Sequence, residues 1–106
     1  MLKVDKGSVM VSRGDTGNLT VQFDGDVPQD GTLALVTVKK NPVKTEFLWE
    51  KRLTVQGGRI DIRLNTEDTN FPPDKYYWDV RLLRGAEIFT PVEPQPFTVL
   101  EVVGNA

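Results

Sequence analysis

The apolar residues of this chain recur with a period of two. The alternation is clearest in two runs: Ile60, Ile62 and Leu64, and then Tyr76, Trp78, Val80 and Leu82. Because successive side chains of a β-strand point to opposite faces, each run predicts a strand with one buried face. No segment of ten or more residues shows the 3.6-residue stripe of an amphipathic helix. The pattern therefore predicts an all-β fold.

Further apolar runs predict the remaining strands. They lie at residues 8–13, 19–23, 32–38, 47–50 and 97–103. The run at 32–38 is almost wholly apolar, which indicates either a strand buried on both faces or one whose inward face is ambiguous. With the two alternating runs, this makes about seven short strands at the spacing that favours a sandwich or barrel. The expected fold is an immunoglobulin-like antiparallel β-sandwich that forms one domain over residues 1–106.

The segments between these runs carry turn signals. Gln56-Gly57-Gly58 predicts a tight hairpin between the strand at Trp49 and the strand at Ile60, because glycine supplies the positive φ of such turns. Residues 65–68 (Asn-Thr-Glu-Asp) predict one helical turn. The three prolines at 91, 94 and 96 predict an extended, poorly paired segment before the last strand.

The core follows from the alternation, since apolar burial is the main favourable term in folding. The side chains expected in it are Val9, Val11, Leu19, Val21, Phe23, Leu35, Phe47, Trp49, Ile60, Ile62, Leu64, Tyr76, Trp78, Val80, Leu82, Phe97 and Val99.

The amino-acid composition limits the catalytic groups and the classes of ligand that can be expected of this chain. The chain has no histidine and no cysteine, so it lacks the commonest general base, a thiolate nucleophile and any disulfide. It has 13 basic and 15 acidic residues, with no basic patch of the kind that nucleic acids bind. No apolar run reaches the roughly 20 residues of a membrane span. We therefore expect a non-enzymatic protein without cofactor or metal, with no nucleic-acid or membrane partner, and with a small-molecule ligand unlikely.

Two acidic groupings and one tripeptide are candidates for a metal-binding or recognition site. Asp24, Asp26 and Asp30 resemble a calcium loop, but Pro28 takes the position of a ligand, so turn formation is the better interpretation. Acids at 67, 68 and 74 are also best interpreted as turn and surface residues. The Arg-Gly-Asp tripeptide at 13–15 matches an integrin-recognition signal, yet three residues at a turn carry little weight.

Aromatic residues are the remaining candidates for contact with a partner. Tyr77 and Phe89 are predicted as contact residues, because aromatic side chains outside the core are frequent hot spots in interfaces, and Trp49 is a third candidate although it is also among the expected core residues. The same side chains could stack on sugars, which leaves a carbohydrate- or cell-surface-binding module as the alternative function. Core packing is the simpler interpretation for Tyr76 and Trp78.

The segment from Asp68 to Val80 resembles the loop-to-strand corner of immunoglobulin-like domains. The resemblance implies that the Tyr76 hydroxyl bonds back to upstream backbone. It also places Trp78 where antibody domains have a cysteine, so that aromatic bulk would replace a disulfide.

The wider layout resembles small immunoglobulin-like proteins of bacteriophages and prophages, in particular the N-terminal module of phage baseplate upper proteins. The shared motifs are Arg13-Gly14-Asp15-Thr16, Glu67-Asp68-Thr69, Tyr77-Trp78-Asp79-Val80, Thr90-Pro91 and Phe97-Thr98-Val99. The resemblance implies a virion structural or tail-assembly role through protein–protein contacts. Its expected partners are other phage structural proteins or further copies of the chain, in the cytoplasm during assembly and in the virion thereafter. It carries over no functional residue.

Overall fold

Residues 2–25 and 27–102 are described by a computed structural model. They form eight strands and one short helix: β1 (Leu2–Asp5), β2 (Ser8–Ser12), β3 (Gly17–Gln22), β4 (Leu33–Lys39), β5 (Trp49–Thr54), β6 (Arg59–Leu64), α1 (Thr66–Thr69), β7 (Asp74–Arg84) and β8 (Glu87–Leu100). The all-β prediction is confirmed, with eight strands in the described part where about seven were expected. The strand that the sequence did not predict is β1, whose side chains are mostly exposed. In these residues no helix has the length and apolarity needed to cross a membrane.

The strands form two sheets that pack as a sandwich. One sheet has six strands in the order β1-β2-β8-β7-β4-β5, and the other holds β3 and β6. All neighbours in both sheets are antiparallel except β2 and β8, which run parallel from Val9 beside Phe97 to Ser12 beside Leu100. This pair departs from the purely antiparallel prediction. Parallel neighbours need a long connection, and nearly the whole chain lies between these two strands.

The core lies between the inward faces of the two sheets. Most of the predicted core residues are there, but Phe47 is wrong, since it is 54% exposed in the loop that precedes β5. In β4 the inward side chains are those of Ala34, Val36 and Val38, while Leu35 is buried outside the main core cluster. Because β4 lies between β7 and β5 and is apolar on both faces, its sequence does not indicate which face points inward.

The turn at Gly57-Gly58 is confirmed, but the predicted hairpin is not. Gln56 and Arg59 exchange backbone hydrogen bonds of 3.0 and 3.2 Å, and both glycines have positive φ. Beyond this bridge the two strands separate, because β5 pairs with β4 in the large sheet and β6 pairs with β3 in the small one. The turn is therefore a crossing from one layer of the sandwich to the other.

The corner between β6 and β7 has the expected structure. The Asp68 carboxylate accepts a 2.7 Å hydrogen bond from the Asn65 backbone N–H and lies 2.8 Å from the Lys51 ammonium. The Tyr76 hydroxyl donates to the Pro72 carbonyl at 2.6 Å, which confirms the hydrogen bond implied by the resemblance. Trp78 is buried two residues on, and its indole N–H donates to the Gly7 carbonyl at 2.8 Å. The corner is thus held by hydrogen bonds to backbone at both aromatic residues.

The last strand begins at Glu87, ten residues before the predicted start at Phe97. Its ladder with β7 shifts register twice, between Trp78 and Val80 and again between Val80 and Leu82. At each shift, β8 has one more residue than the part of β7 that faces it. Pro94 lies in β8 at the first shift, and Pro91 lies in β8 at the second. Because proline has no N–H to donate, the ladder bulges there. The irregular pairing was predicted, but the segment belongs to the strand.

Candidate binding surface

A cleft of about 700 Å³ opens at one end of the sandwich, between the end of β3 and the hairpin of β7 and β8. Its lining is mainly apolar and comprises Val21, Gln22, Phe23, Asp24, Val27, Pro28, Thr32, Leu82, Arg84, Phe89, Thr90, Pro91 and Val92. The bulge of β8 that contains Pro91 lies among the lining residues, where it disturbs the pairing of the hairpin. The cleft therefore lies next to an irregular part of the large sheet.

Phe89 is the exposed aromatic side chain of the cleft, whereas Phe23, which also lines it, is buried. Phe89 remains 44% exposed, and the guanidinium of Arg84 lies 5.7 Å from the centre of its ring. Leu82, directly across the ladder from Phe89, is buried. This arrangement leaves an apolar surface with a cation at its rim, which suits an apolar or aromatic side chain of a protein partner.

The edge of β8 beside the cleft is open. β2 covers β8 only from Phe97 to Leu100, so among the described strands residues 87–96 have β7 alone as a neighbour. Open edges can pair with another chain, and proline limits such pairing because it removes a donor. The three prolines at 91, 94 and 96 therefore restrict backbone pairing to the part of the edge that precedes Pro91.

The other two predicted contact residues lie elsewhere. Trp49 is half-buried and donates a 2.9 Å hydrogen bond from its indole N–H to the Asp68 carbonyl, and its ring packs edge-on against Phe97 at 6.4 Å. Tyr77 lies on the outer face of the large sheet, between Lys39 on β4 and Pro96 on β8. Five residues of β7 separate Tyr77 from Leu82, or roughly 16 Å along the strand. The three aromatic residues therefore do not share one surface.

A polar cluster that the sequence did not indicate lies on the outer face of the large sheet. Thr37 is buried and donates to Glu50 at 3.1 Å, while Arg81 lies 3.6 Å from the same carboxylate. Asp79 is the cross-strand neighbour of Thr37, and its Oδ1 is buried without a hydrogen-bond partner among the described residues. Burial raises the pKa of Asp79, although Lys39 and Arg81 oppose that shift. Alternation alone placed Asp79 on a solvated face.

The acidic groupings act within the fold. Asp30 accepts a 2.9 Å hydrogen bond from the Gly57 N–H, and Asp68 caps α1, while Asp26 lies outside the described residues. In the described part of the chain, no three acidic side chains are grouped as a metal site would require. The turn at 13–15 is tied to the corner, since the Gly14 N–H donates to the Thr69 carbonyl at 3.3 Å.

Only part of the cleft could be predicted from the sequence. Phe89 was singled out as an aromatic residue outside the core, but Val27, Pro28 and Thr32 come from a loop with no periodic signal. They meet the hairpin only because the two sheets pack together. No protein-family model, curated protein or solved structure matches the chain.

Proposed function

We propose that this chain is a non-enzymatic structural or assembly module of a phage or prophage particle, and that it binds a protein partner through the β7–β8 hairpin. The observation that carries the proposal is the juxtaposition of the apolar cleft, the half-exposed Phe89 and the open edge of β8. A site for a protein side chain needs an apolar pocket with a polar rim, and these residues provide both.

The physics of the cleft favours a protein partner. Phe89 and Val27 leave apolar surface exposed, so a side chain that enters between them would remove that surface from water. Arg84 and Asp24 put one charge of each sign among the lining residues. Opposite charges at a rim help to orient a partner but add little affinity, so the apolar residues would supply most of the binding free energy.

The phage component of the proposal is supported by the resemblance of the sequence motifs. The corner they describe includes the Tyr76 hydrogen bond and the buried Trp78. In such a role the chain would be in the cytoplasm during assembly and in the virion afterwards, with other structural proteins or its own copies as partners.

The carbohydrate-binding alternative has less support. Sugar-binding surfaces stack the ligand on exposed aromatic rings. Here Trp49 is engaged in packing, Tyr77 lies on the outer face of the large sheet, and Phe89 is the one exposed ring among the described cleft residues, since Phe23 is buried. A single ring is a poor sugar platform, whereas it is sufficient as an anchor for a protein contact.

The experiment is a particle-incorporation assay. The chain is produced together with the proteins encoded beside its gene, and particles are purified by density gradient and probed for it. We expect the wild-type chain in the particles, loss of at least about tenfold for Phe89→Ser, and no loss for Asn18→Ser, an exposed residue of β3 on the small sheet.

Absence of the wild-type chain from particles, or equal incorporation of both variants, would overturn the proposal. A glycan array with the wild-type chain tests the alternative. A signal there that Phe89→Ser abolishes would replace the assembly proposal with a carbohydrate-binding one.

A further inference from the structure

We infer that the occupant of the open β8 edge is a second copy of this chain, paired antiparallel around a two-fold axis at Ile88. The inference rests on the proposed function, because it uses the same β7–β8 hairpin. It also identifies the partner as a second copy and gives the register in which the two β8 strands pair. The pairing would join two six-stranded sheets edge to edge.

The turn of the hairpin determines which backbone groups are free. Gly85 has φ +61° and Ala86 does not have positive φ, which makes the two-residue turn between Arg84 and Glu87 type II′. Such a turn is closed by a hydrogen-bonded pair, and hydrogen-bonded and non-hydrogen-bonded pairs then alternate along an antiparallel ladder. Ile88, opposite Leu83, is the next position. Its N–H and C=O therefore point away from β7, toward the open edge.

The available edge is short, and this determines the register. On one side it ends at the turn, and on the other side it ends at the bulge that contains Pro91. An antiparallel partner bonds through residues that exchange both of their backbone hydrogen bonds. Within residues 87–90, pairing of Ile88 with Ile88 of the second copy meets this requirement with two-fold symmetry. A shift by one residue would turn the side chains to the wrong faces.

The side chains are complementary in the same register. On the outer face, Ile88 is 61% exposed and would lie directly opposite its symmetry mate, forming an apolar cross-strand pair. On the other face, Phe89 would lie opposite Glu87 of the second copy. Because Arg84 already lies over the Phe89 ring, its guanidinium would be next to that carboxylate. Within one copy, neither Arg84 nor Glu87 forms an ion pair with another described residue.

The opposite edge of the same sheet is less suited to self-pairing. There β5 presents Glu50, Lys51 and Arg52 in succession, and Lys51 is engaged with Asp68. Charged residues on an edge strand oppose pairing with another chain. Of these two edges, the structure therefore favours that of β8 as the contact between copies.

Cysteine cross-linking tests the register directly, since the chain has no cysteine of its own. Residues in a hydrogen-bonded antiparallel pair have Cα atoms about 5.5 Å apart, within the range of a disulfide. We expect Ile88→Cys to form a covalent dimer under mild oxidation and Asn18→Cys, on the small sheet, to remain monomeric. No dimer from Ile88→Cys, or equal yields from both variants, would overturn the inference.

Sedimentation velocity tests the energetics. The contact is small, so we expect a dimer with Kd of about 10 µM to 1 mM. Ile88→Lys should weaken it at least about tenfold, because it places two like charges opposite each other, whereas Ile88→Val should retain it. A wild-type chain that stays monomeric at about 1 mM would contradict the inference.

A charge exchange separates loss of the contact from loss of the fold. Glu87→Arg and Arg84→Glu should each weaken the dimer, and the double variant should restore it, because the cross-copy pair is rebuilt with reversed signs. No recovery in the double variant would count against the register.

The pairing between copies and the assembly role can be refuted independently. A monomeric chain that still enters particles through Phe89 would refute the pairing and keep the assembly role. A dimer whose incorporation ignores Phe89→Ser would refute the assembly role and keep the pairing.

Discussion

The two halves of β8 belong to one strand and pair with the same neighbour, yet they differ in nearly every physical respect. From Phe97 to Leu100 the strand lies between β7 and β2, and Phe97 and Val99 are 1% and 2% exposed. From Glu87 to Pro96 its one neighbour among the described strands is β7, and Ile88 and Phe89 are 61% and 44% exposed. Each half contains a phenylalanine, so apolar composition does not explain the difference. Position in the fold does, because Phe97 faces the core, whereas Phe89 faces the cleft and Ile88 the outer surface.

The prolines of β8 follow the same division into two halves. All three prolines of β8 lie in the half with one neighbour, and none lies in the half with two. A strand with neighbours on both sides needs its donors, whereas an edge tolerates their loss and is protected from uncontrolled pairing by it. The buried half thus serves stability, and the open half is available for binding.

The largest difference between the halves should appear when each phenylalanine is truncated. Phe97→Ala should lower the free energy of unfolding by about 3–5 kcal/mol, because it opens a cavity in the core. Phe89→Ala should lower it by less than about 1 kcal/mol, since its ring is already half in water. Urea denaturation of both variants measures this. Equal losses would show that the open half is as integral to the fold as the covered half.

A smaller effect is expected at the corner that supports the covered half. Tyr76 is the cross-strand neighbour of Phe97, and Tyr76→Phe removes the hydrogen bond to the Pro72 carbonyl. We expect a loss of about 1–1.5 kcal/mol with the fold retained. Tyr77→Phe is the matched control, next in sequence but on the outer face, and should change stability by less than about 0.5 kcal/mol. If the Tyr76 hydrogen bond contributed nothing to stability, Tyr76→Phe and Tyr77→Phe would have the same stability in thermal or urea unfolding.

The smallest effect is expected at the boundary between the halves, where Asp79 lies across from the bulge at Pro94. Burial raises the pKa of Asp79 above its unfolded value, so the native state binds its proton more tightly. Stability should therefore fall as pH rises from about 3.8 through the raised native pKa, and stay lower at neutral pH. Asp79→Asn should remove this slope and stabilise the protein at pH 7. A series of urea unfolding curves from pH 3 to 7 would show an unchanged slope if Asp79 were not the titrating group.

Local patterns predicted the parts of the molecule that depend on neighbours in sequence. The alternation around Ile60 and around Trp78 gave the correct buried faces because each strand has one apolar and one polar face. The hydrogen bond of the corner was implied by the resemblance to immunoglobulin-like domains, and it is local, since it joins residues only four apart, Tyr76 and Pro72. The prediction that β4 is buried on both faces is confirmed, but its pattern does not tell which face points inward. Alternation was wrong for Phe47, which lies before its strand begins.

The candidate site shows the same division. Phe89 could be singled out in the sequence as an aromatic residue beyond the predicted core, and its role as a contact remains a prediction. Tyr77 carried the same signal, and Trp49 was a further candidate although it is among the expected core residues, yet both lie on other surfaces. Nothing in the spacing of the residues says that the loop at Val27 and Pro28 meets the β7–β8 hairpin.

By itself, the sequence determined the strand-forming runs, most turns and a helical turn predicted at 65–68 and found at 66–69, because these depend on side-chain alternation and on short-range hydrogen bonds. The aromatic corner was implied by the resemblance to immunoglobulin-like domains. Only the tertiary structure decided that β5 and β6 lie in different sheets, that β2 runs parallel to half of β8, and that the other half is left open. Those features depend on which strands become neighbours. That choice is made by burying apolar faces across the whole chain, and no local pattern encodes it.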